Sequence, residues 1–329
     1  MHRPPMTAES STFAQLRAAD VLAAGHRLRG VVTRTPLRRS EALSAHAGGD
    51  VYLKLETDQL TGSFKVRGAF NAIASLGERD RARGVVASSA GNHGLGVAWA
   101  AHHFGIPALI FIPRDAPEVK RRGIESLGAG IDTDSPDYDA ALERARAHAA
   151  ARGLTFINPC LGDALIAGQG TVALEILEDL PSVRSIVVNV GGAGLLAGTA
   201  SLVRRVAPTV KIFGAQSVNT AAMSRSLAAG GVVHIDSVPT LADGLAGDID
   251  EFALDIGRQG LDAIATVEES EIAAAIAWLS RAENVTAEGA GAAGVAAVLT
   301  GKLPLVSPAA VVISGRNIDR ARLEKVLEG

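Results

Sequence analysis

"SIVVNVGGAGLLAG", residues 185–198, runs an unbroken apolar stretch into a glycine loop and then into a small-residue segment of helical character. A run without polar alternation must be buried on both faces, the condition of a strand inside a parallel sheet covered by helices. The pattern recurs along the chain. Apolar, β-branched runs at residues 51–55, 84–87, 108–112, 185–190, 211–215 and 310–313 alternate with longer Ala-, Leu- and Arg-rich segments of helical period. Such alternation predicts a doubly wound α/β fold. One helical segment has readable ends: in "SPDYDAALERARAHAAARG", residues 135–153, Ser135 is the expected N-cap, Pro136 the first turn and Gly153 the stop.

Length and composition narrow the function. A chain of 329 residues exceeds the ~100 to 200 residues usual for one domain, so one large or two medium domains are expected. Hydrophobic residues make up 47% of it, yet no apolar run reaches the ~18 residues of a membrane span. Residues 1–12 show no basic stretch followed by an apolar one, so no secretory signal is read there. Cys160 is the lone cysteine, which excludes a disulfide within the chain and fits a reducing cytoplasm. With a formal net charge of −3 and scattered Lys and Arg, neither a nucleic-acid nor a membrane partner is expected. Small-molecule chemistry remains.

In open α/β sheets ligands gather beyond the carboxyl ends of the strands, so the loops there carry the chemistry. Four stand out: "TGSFKVRGAF" (61–70), "SSAGNHGLG" (88–96), "GGAGLLAG" (191–198) and "SGRN" (314–317). Gly192, Gly194 and Ala197 satisfy the dinucleotide pattern G-x-G-x-x-[GA], which points to a nicotinamide-dependent oxidoreductase. That pattern also needs an acid on the next strand to hold the ribose. Here the strand ends in Gln216, and no Asp or Glu lies between Gly198 and Ile235. A helix N-terminus that can cradle a monophosphate is what survives, with ligand-free strand-to-helix packing as the alternative. Asn92 and Ser89 offer neutral donors to an oxyanion or phenolic oxygen, or else form a helix-capping turn. His93 reads as a support for that turn rather than a metal ligand. Ser314 either caps the last helix or faces a ligand, and it has no Ser-His-Asp partners at motif spacing. Lys65, at a helix start beside Phe64, is either a surface cation or a reactive amine.

Together these loops hold the parts needed to carry pyridoxal phosphate as a Schiff base: a phosphate cradle, an asparagine, a serine, and a lysine beside an aromatic ring. The chain resembles the fold type II pyridoxal-phosphate enzymes, within them the serine/threonine dehydratase (threonine ammonia-lyase) and serine racemase group. The resemblance runs from "TPLRRS" (35–40) through "TGSFKVRGA", "SSAGNHG", "GGAGLLAG", "LADGLAG" and "AEGAGAAG" to "SGRN", in family order.

The resemblance implies a tryptophan synthase β-like fold of two domains, each an open, mostly parallel sheet flanked by helices. Residues 1–79 plus 158–329 would form the large cofactor-binding domain and 80–157 a small mobile one, with no C-terminal regulatory domain. Lys65 would carry pyridoxal 5'-phosphate and then remove the substrate α-proton, and Phe64 would pack on the ring. Asn92 would bond the phenolic oxygen, Gly191, Gly192, Ala193, Gly194 and Leu195 would wrap the phosphate, and Ser314 would meet the ring nitrogen. Ser89, Ala90, Asn92 and His93 would line the substrate carboxylate pocket, with Ser63 near the phosphate and Gly244 near the ring edge.

The implied reaction is α,β-elimination from a β-hydroxy-α-amino acid resembling threonine or serine, giving a 2-oxo acid and ammonia. The alternatives are a larger or specialised substrate (hydroxyectoine-derived, phenylserine or hydroxyaspartate) and threonine-synthase-like replacement chemistry. Racemase members carry a serine two residues before the loop asparagine; this chain has Ala90, so racemisation by that route is not implied. The family's cation-binding acids are replaced by Gln216 and Ala222, so no metal is expected there. A homo-oligomer, dimer or tetramer, is the family's usual state.

Overall fold

The computed structural model describes residues 13–116, 118–236 and 238–328. Residues 1–12, in which no secretory signal is read, lie outside the described residues.

Ten strands follow in chain order: β1 (Leu37–Arg39), β2 (Val51–Leu55), β3 (Val85–Ser88), β4 (Ala108–Pro113), β5 (Gly130–Ser135), β6 (Thr155–Phe156), β7 (Ser185–Asn189), β8 (Lys211–Ser217), β9 (Ala263–Val267) and β10 (Ala309–Ile313). They form two sheets, one in the order β1-β2-β10-β7-β8-β9 and one in the order β5-β4-β3-β6. All neighbouring strands run parallel except β1 and β2. The smaller sheet is drawn wholly from chain between β2 and β7, so it interrupts the larger one in sequence.

Both faces of the larger sheet are covered. Ile186, Val188, Val190, Ala310 and Val312 enter one apolar core, whereas their neighbours Val187, Ala309, Val311 and Ile313 enter another. Alternate residues of a strand point to opposite faces, so an unbroken apolar run is what a two-sided core requires. The α/β expectation holds, and the strands it named lie within a residue or two of their observed ends.

One helix start differs from the sequence reading. The helix Tyr138–Arg152 is capped by Asp137, whose side chain accepts from the Ala140 N–H, rather than by Ser135. Asp137, two residues on, supplies the capping carboxylate, and Ser135 is left as the last residue of β5, opposite Pro113 of β4. Gly153 does end the helix, in the left-handed conformation.

Close helix crossings bring the site helices together. The helix Asp163–Asp179 lies between the helices Lys65–Ala74 and Gly194–Val206. A methyl group on Gly168 would sit 2.5 Å from the Arg67 carbonyl oxygen, and one on Gly198 would sit 2.4 Å from the Gly170 nitrogen. Backbone meets backbone at both crossings, which fixes the lysine helix relative to the glycine-loop helix. Among the described residues no helix is long and apolar enough to cross a membrane.

Candidate active site

Two of the four loops are zipped together. Ser63 and Gly315 form an antiparallel bridge, the Phe64 N–H donates to the Ser314 carbonyl at 3.1 Å, and the Arg316 N–H donates to the Gly62 carbonyl at 2.9 Å. The pairing sets Ser314, just past β10, beside the start of the Lys65 helix. Ser314 is buried; its Oγ accepts from Asn189 Nδ2 at 3.3 Å and reaches the Ala290 carbonyl only at 3.4 Å. It does not cap the last helix, whose early N–H groups are taken by Asp319. Arg316 is exposed.

Lys65 is the first residue of its helix. Its Nζ donates to the Pro159 carbonyl at 2.9 Å and stands 5.4 Å from the centre of the Phe64 ring. Pro159 leads into Cys160, and Cys160 abuts the glycine loop: a methyl group on Gly192 would lie 2.5 Å from its Sγ, and one on Gly194 3.3 Å from its Cα. Residues 159–160 therefore join the lysine to the loop. Ala193 holds the left-handed conformation (φ 66°), uncommon without glycine, at the turn into the helix Gly194–Val206. The first N–H groups of that helix, Leu195 included, have no acceptor within it. Gly244 borders the other side, since a methyl group on Gly191 would meet the Gly244 carbonyl oxygen at 3.4 Å.

Asn92 begins the helix Asn92–Phe104 and makes no capping bond for it. Its Nδ2 instead donates to Glu288 Oε1 at 2.7 Å, and its Oδ1 accepts from Asn317 Nδ2 at 2.6 Å. The contact crosses the seam between the two sheets, as does the Lys120–Asp243 ion pair at 3.4 Å. Burial, reinforced by nearby Asp243, pushes the Glu288 carboxyl up to about 7 despite the bond from Asn92.

Ser89 and Ala90 are half-buried in the turn before Asn92, with Ser89 Oγ accepting from the Gly91 N–H at 3.2 Å. His93 differs from them. It is buried, with Nε2 2.9 Å from the Ile157 carbonyl, which can only accept, so the ring proton sits on Nε2. Burial first, then the Lys65 cation, push its pKa down to about 3, so the ring is neutral and supports the turn from within the core. Gln216 uses its amide on backbone: Nε2 donates to the Val190 and Thr220 carbonyls at 2.9 and 3.0 Å, and Oε1 accepts from the Ser224 N–H at 3.0 Å.

Lys65, Phe64, Asn92, the 191–195 loop and Ser314 thus converge, although they come from distant parts of the chain. Two buried hydroxyls near them, Ser63 Oγ and Ser88 Oγ, have no hydrogen-bond partner. Buried polar atoms are rarely left so, and orphan hydroxyls beside a helix N-terminus and a lysine amine suit a ligand carrying a phosphate. Sequence reasoning passed over Glu288 and Asn317. Both stand in quoted motifs, and the available signal was a lone carboxylate ahead of an all-apolar helix.

Fold and donor set define a two-sheet α/β enzyme whose converging loops suit a phosphorylated ligand. Residues 28–315 match the model of the family described as pyridoxal-phosphate dependent enzyme, and the chain belongs to that family. Its cofactor is pyridoxal 5'-phosphate. The L-threonine ammonia-lyase of Thermotoga maritima is 45% identical over 94% of this chain and 77% of its own length. The catabolic L-threonine dehydratase of Escherichia coli is 36% identical over 93% of this chain and 94% of its own. Among solved structures, maize serine racemase superposes with a TM-score of 0.89 at 31% identity, covering 95% of this chain and 97% of its own.

Proposed function

We propose that this protein is a pyridoxal-phosphate-dependent dehydratase that converts threonine, or a close β-hydroxy-α-amino acid, to a 2-oxo acid and ammonia. The observation that carries the reading is Lys65, held by the Pro159 carbonyl between the Phe64 ring and the glycine loop. Threonine is favoured by the similarity to the two threonine-acting relatives.

When bound, pyridoxal phosphate supplies an electron-withdrawing ring that acidifies the α-carbon of an amino acid joined to it. The chain does the rest. Gly191 to Leu195 and the helix N-terminus they open bind the phosphate dianion through backbone N–H groups, with Ser63 beside them. Asn92 donates to the phenolic oxygen, and Phe64 covers the ring. Ser314 offers a neutral hydroxyl where a carboxylate would hold a proton on the ring nitrogen, a choice that favours prompt loss of the β-hydroxyl over amino transfer. Lys65, displaced by substrate, takes the α-proton. The proton taken by Lys65 would balance the one the β-hydroxyl needs to leave as water; Lys65, returning to its place on the cofactor, would free the enamine, which takes up water to give the 2-oxo acid and ammonia.

Ser89, Ala90 and Asn92 receive the substrate carboxylate. Ala90 has no proton to exchange on the opposite face, so dehydration is favoured over racemisation. Residues 80–157, which contain the smaller sheet, act as the mobile unit that closes on substrate. The enzyme works in the cytoplasm as a homo-oligomer.

The test is an assay of ammonia and 2-oxo acid from threonine, serine, hydroxyaspartate and phenylserine, with Lys65→Ala beside the parent. Threonine turnover lost in the variant is the expected result. Ammonia release that survives in Lys65→Ala, or a purified protein whose visible absorbance does not respond to borohydride, overturns the reading.

A further inference from the structure

We propose that Asn317 and Glu288 are positioning residues that fix which end of the Asn92 amide faces the cofactor. The inference rests on the reading of Asn92 as the partner of the ring's phenolic oxygen and adds the means by which that contact is set.

One group in this network has no freedom. The Thr61 carbonyl can only accept, and Asn317 Nδ2 lies 2.8 Å from it, so the nitrogen end of the Asn317 amide faces Thr61. The second hydrogen of the same nitrogen goes to Asn92 Oδ1 at 2.6 Å. That commits the oxygen of Asn92. Its nitrogen then faces Glu288, donating one hydrogen to Oε1 at 2.7 Å. A carboxyl oxygen accepts there whether Glu288 is ionised or protonated. One N–H of Asn92 is left, and a donor is what a phenolic oxygen requires. Turned over, the amide would set oxygen against oxygen at the ring and at Glu288, and N–H against N–H at Asn317.

Placement adds a second consequence. Asn92 starts a helix of the smaller-sheet unit, whereas Thr61, Glu288 and Asn317 belong to the chain that builds the larger sheet. The orienting set is complete only with the two units together, so the donor is oriented as the site closes.

The experiment measures affinity of the purified protein for pyridoxal phosphate, by visible absorbance on re-addition after dialysis. Asn92→Ala, Asn317→Asp and their combination form a cycle, with Glu288→Gln and Glu288→Ala alongside. Asp is the size of Asn but has no N–H for either acceptor. Asn317→Asp is expected to weaken binding about tenfold, near the effect of Asn92→Ala, with the double variant no weaker than Asn92→Ala. Glu288→Gln, which keeps an acceptor, is expected to stay near the parent, whereas Glu288→Ala falls with the others. Thermal unfolding establishes that each variant is folded; Asn317→Ala, which adds no charge, replaces Asn317→Asp if the latter is not. Parent-like binding by the Asn317 variant, or losses that add in the double variant, overturns the positioning role. If the parent itself takes up no cofactor, the functional reading fails instead.

Discussion

Arg67 and Glu56, both sealed from solvent, meet through two parallel bonds, Nε to Oε2 and Nη2 to Oε1, each 2.8 Å. The same guanidinium reaches Glu175 at 2.7 Å, and Glu175 also takes the ammonium of buried Lys54. Two charges of each sign cancel in the interior. Arg67 lies two residues beyond Lys65, so this cluster pins the helix start from which the Lys65 amine projects.

Removing the central cation should therefore be costly. Arg67→Met leaves Glu56 and Glu175 facing Lys54 alone, and breaking a buried pair this way typically costs about 3 to 5 kcal/mol. Urea unfolding should register that loss. Arg67→Lys restores charge but not the planar fork, so it should recover only part of it. Full recovery by lysine would show that charge balance alone matters.

Glu288 gives stability a pH dependence of unusual sign for a carboxylate. Its folded value, about 7, is above the ordinary 4.5, so the folded state holds the proton more tightly than the unfolded chain. The associated stability is fully present below about 4.5 and is lost as pH rises through about 7. Glu288→Gln should abolish that decline and leave the variant more stable than the parent above neutrality, by about 3 kcal/mol. Urea unfolding across this range measures it, and parallel pH profiles for the two proteins would refute it.

His93 has the opposite slope. Its folded value of about 3 lies below the ordinary 6.5, so the stability it contributes is present above 6.5 and is lost as pH falls toward 3. Unfolding in acid then takes up one proton at this ring. His93→Gln keeps a side-chain N–H for the Ile157 carbonyl without a titrating group, and should flatten the acid limb by one proton. An unchanged slope would mean that the ring does not stay neutral.

The central strands and the site loops were legible in the sequence for different physical reasons. β7 and β10 are buried along their whole length, so selection for a two-sided core wrote unbroken apolar runs. Edge strands carry no such mark: "LRR" of β1 is mostly exposed, "GIDTDS" of β5 is fully buried only at its last residue, and neither reads as a strand. Ser135 misleads because Asp137, two residues on, is an equally good cap, and the strand pairing that holds Ser135 leaves no local mark. Within the site, Lys65, Asn92, the glycine loop and Ser314 could be named because each stands in a compact local motif. Glu288 and Asn317 stand in such motifs too, but the sequence shows no partner for them, because their bonds to Asn92 span 196 and 225 positions and leave no periodic trace.

The contact between Gly192 and Cys160 yields a test of how the glycine loop is supported. A methyl group at Gly192 would fall 2.5 Å from Cys160 Sγ and 3.3 Å from its Cβ. Gly192→Ala should thus push Cys160 outward and carry the adjoining Pro159 carbonyl away from Lys65. Overpacking of this kind costs about 1 to 3 kcal/mol, and if that cost falls on the bound state, affinity for pyridoxal phosphate should fall about five- to 150-fold. Cys160→Ala deletes the sulfur and leaves only the milder contact. If the sulfur is the obstacle, adding Cys160→Ala to Gly192→Ala should restore most of the affinity, while Cys160→Ala alone changes little. A double variant as weak as Gly192→Ala would place the clash with the cofactor phosphate itself, and would mean that the glycine serves the ligand rather than the packing beneath it.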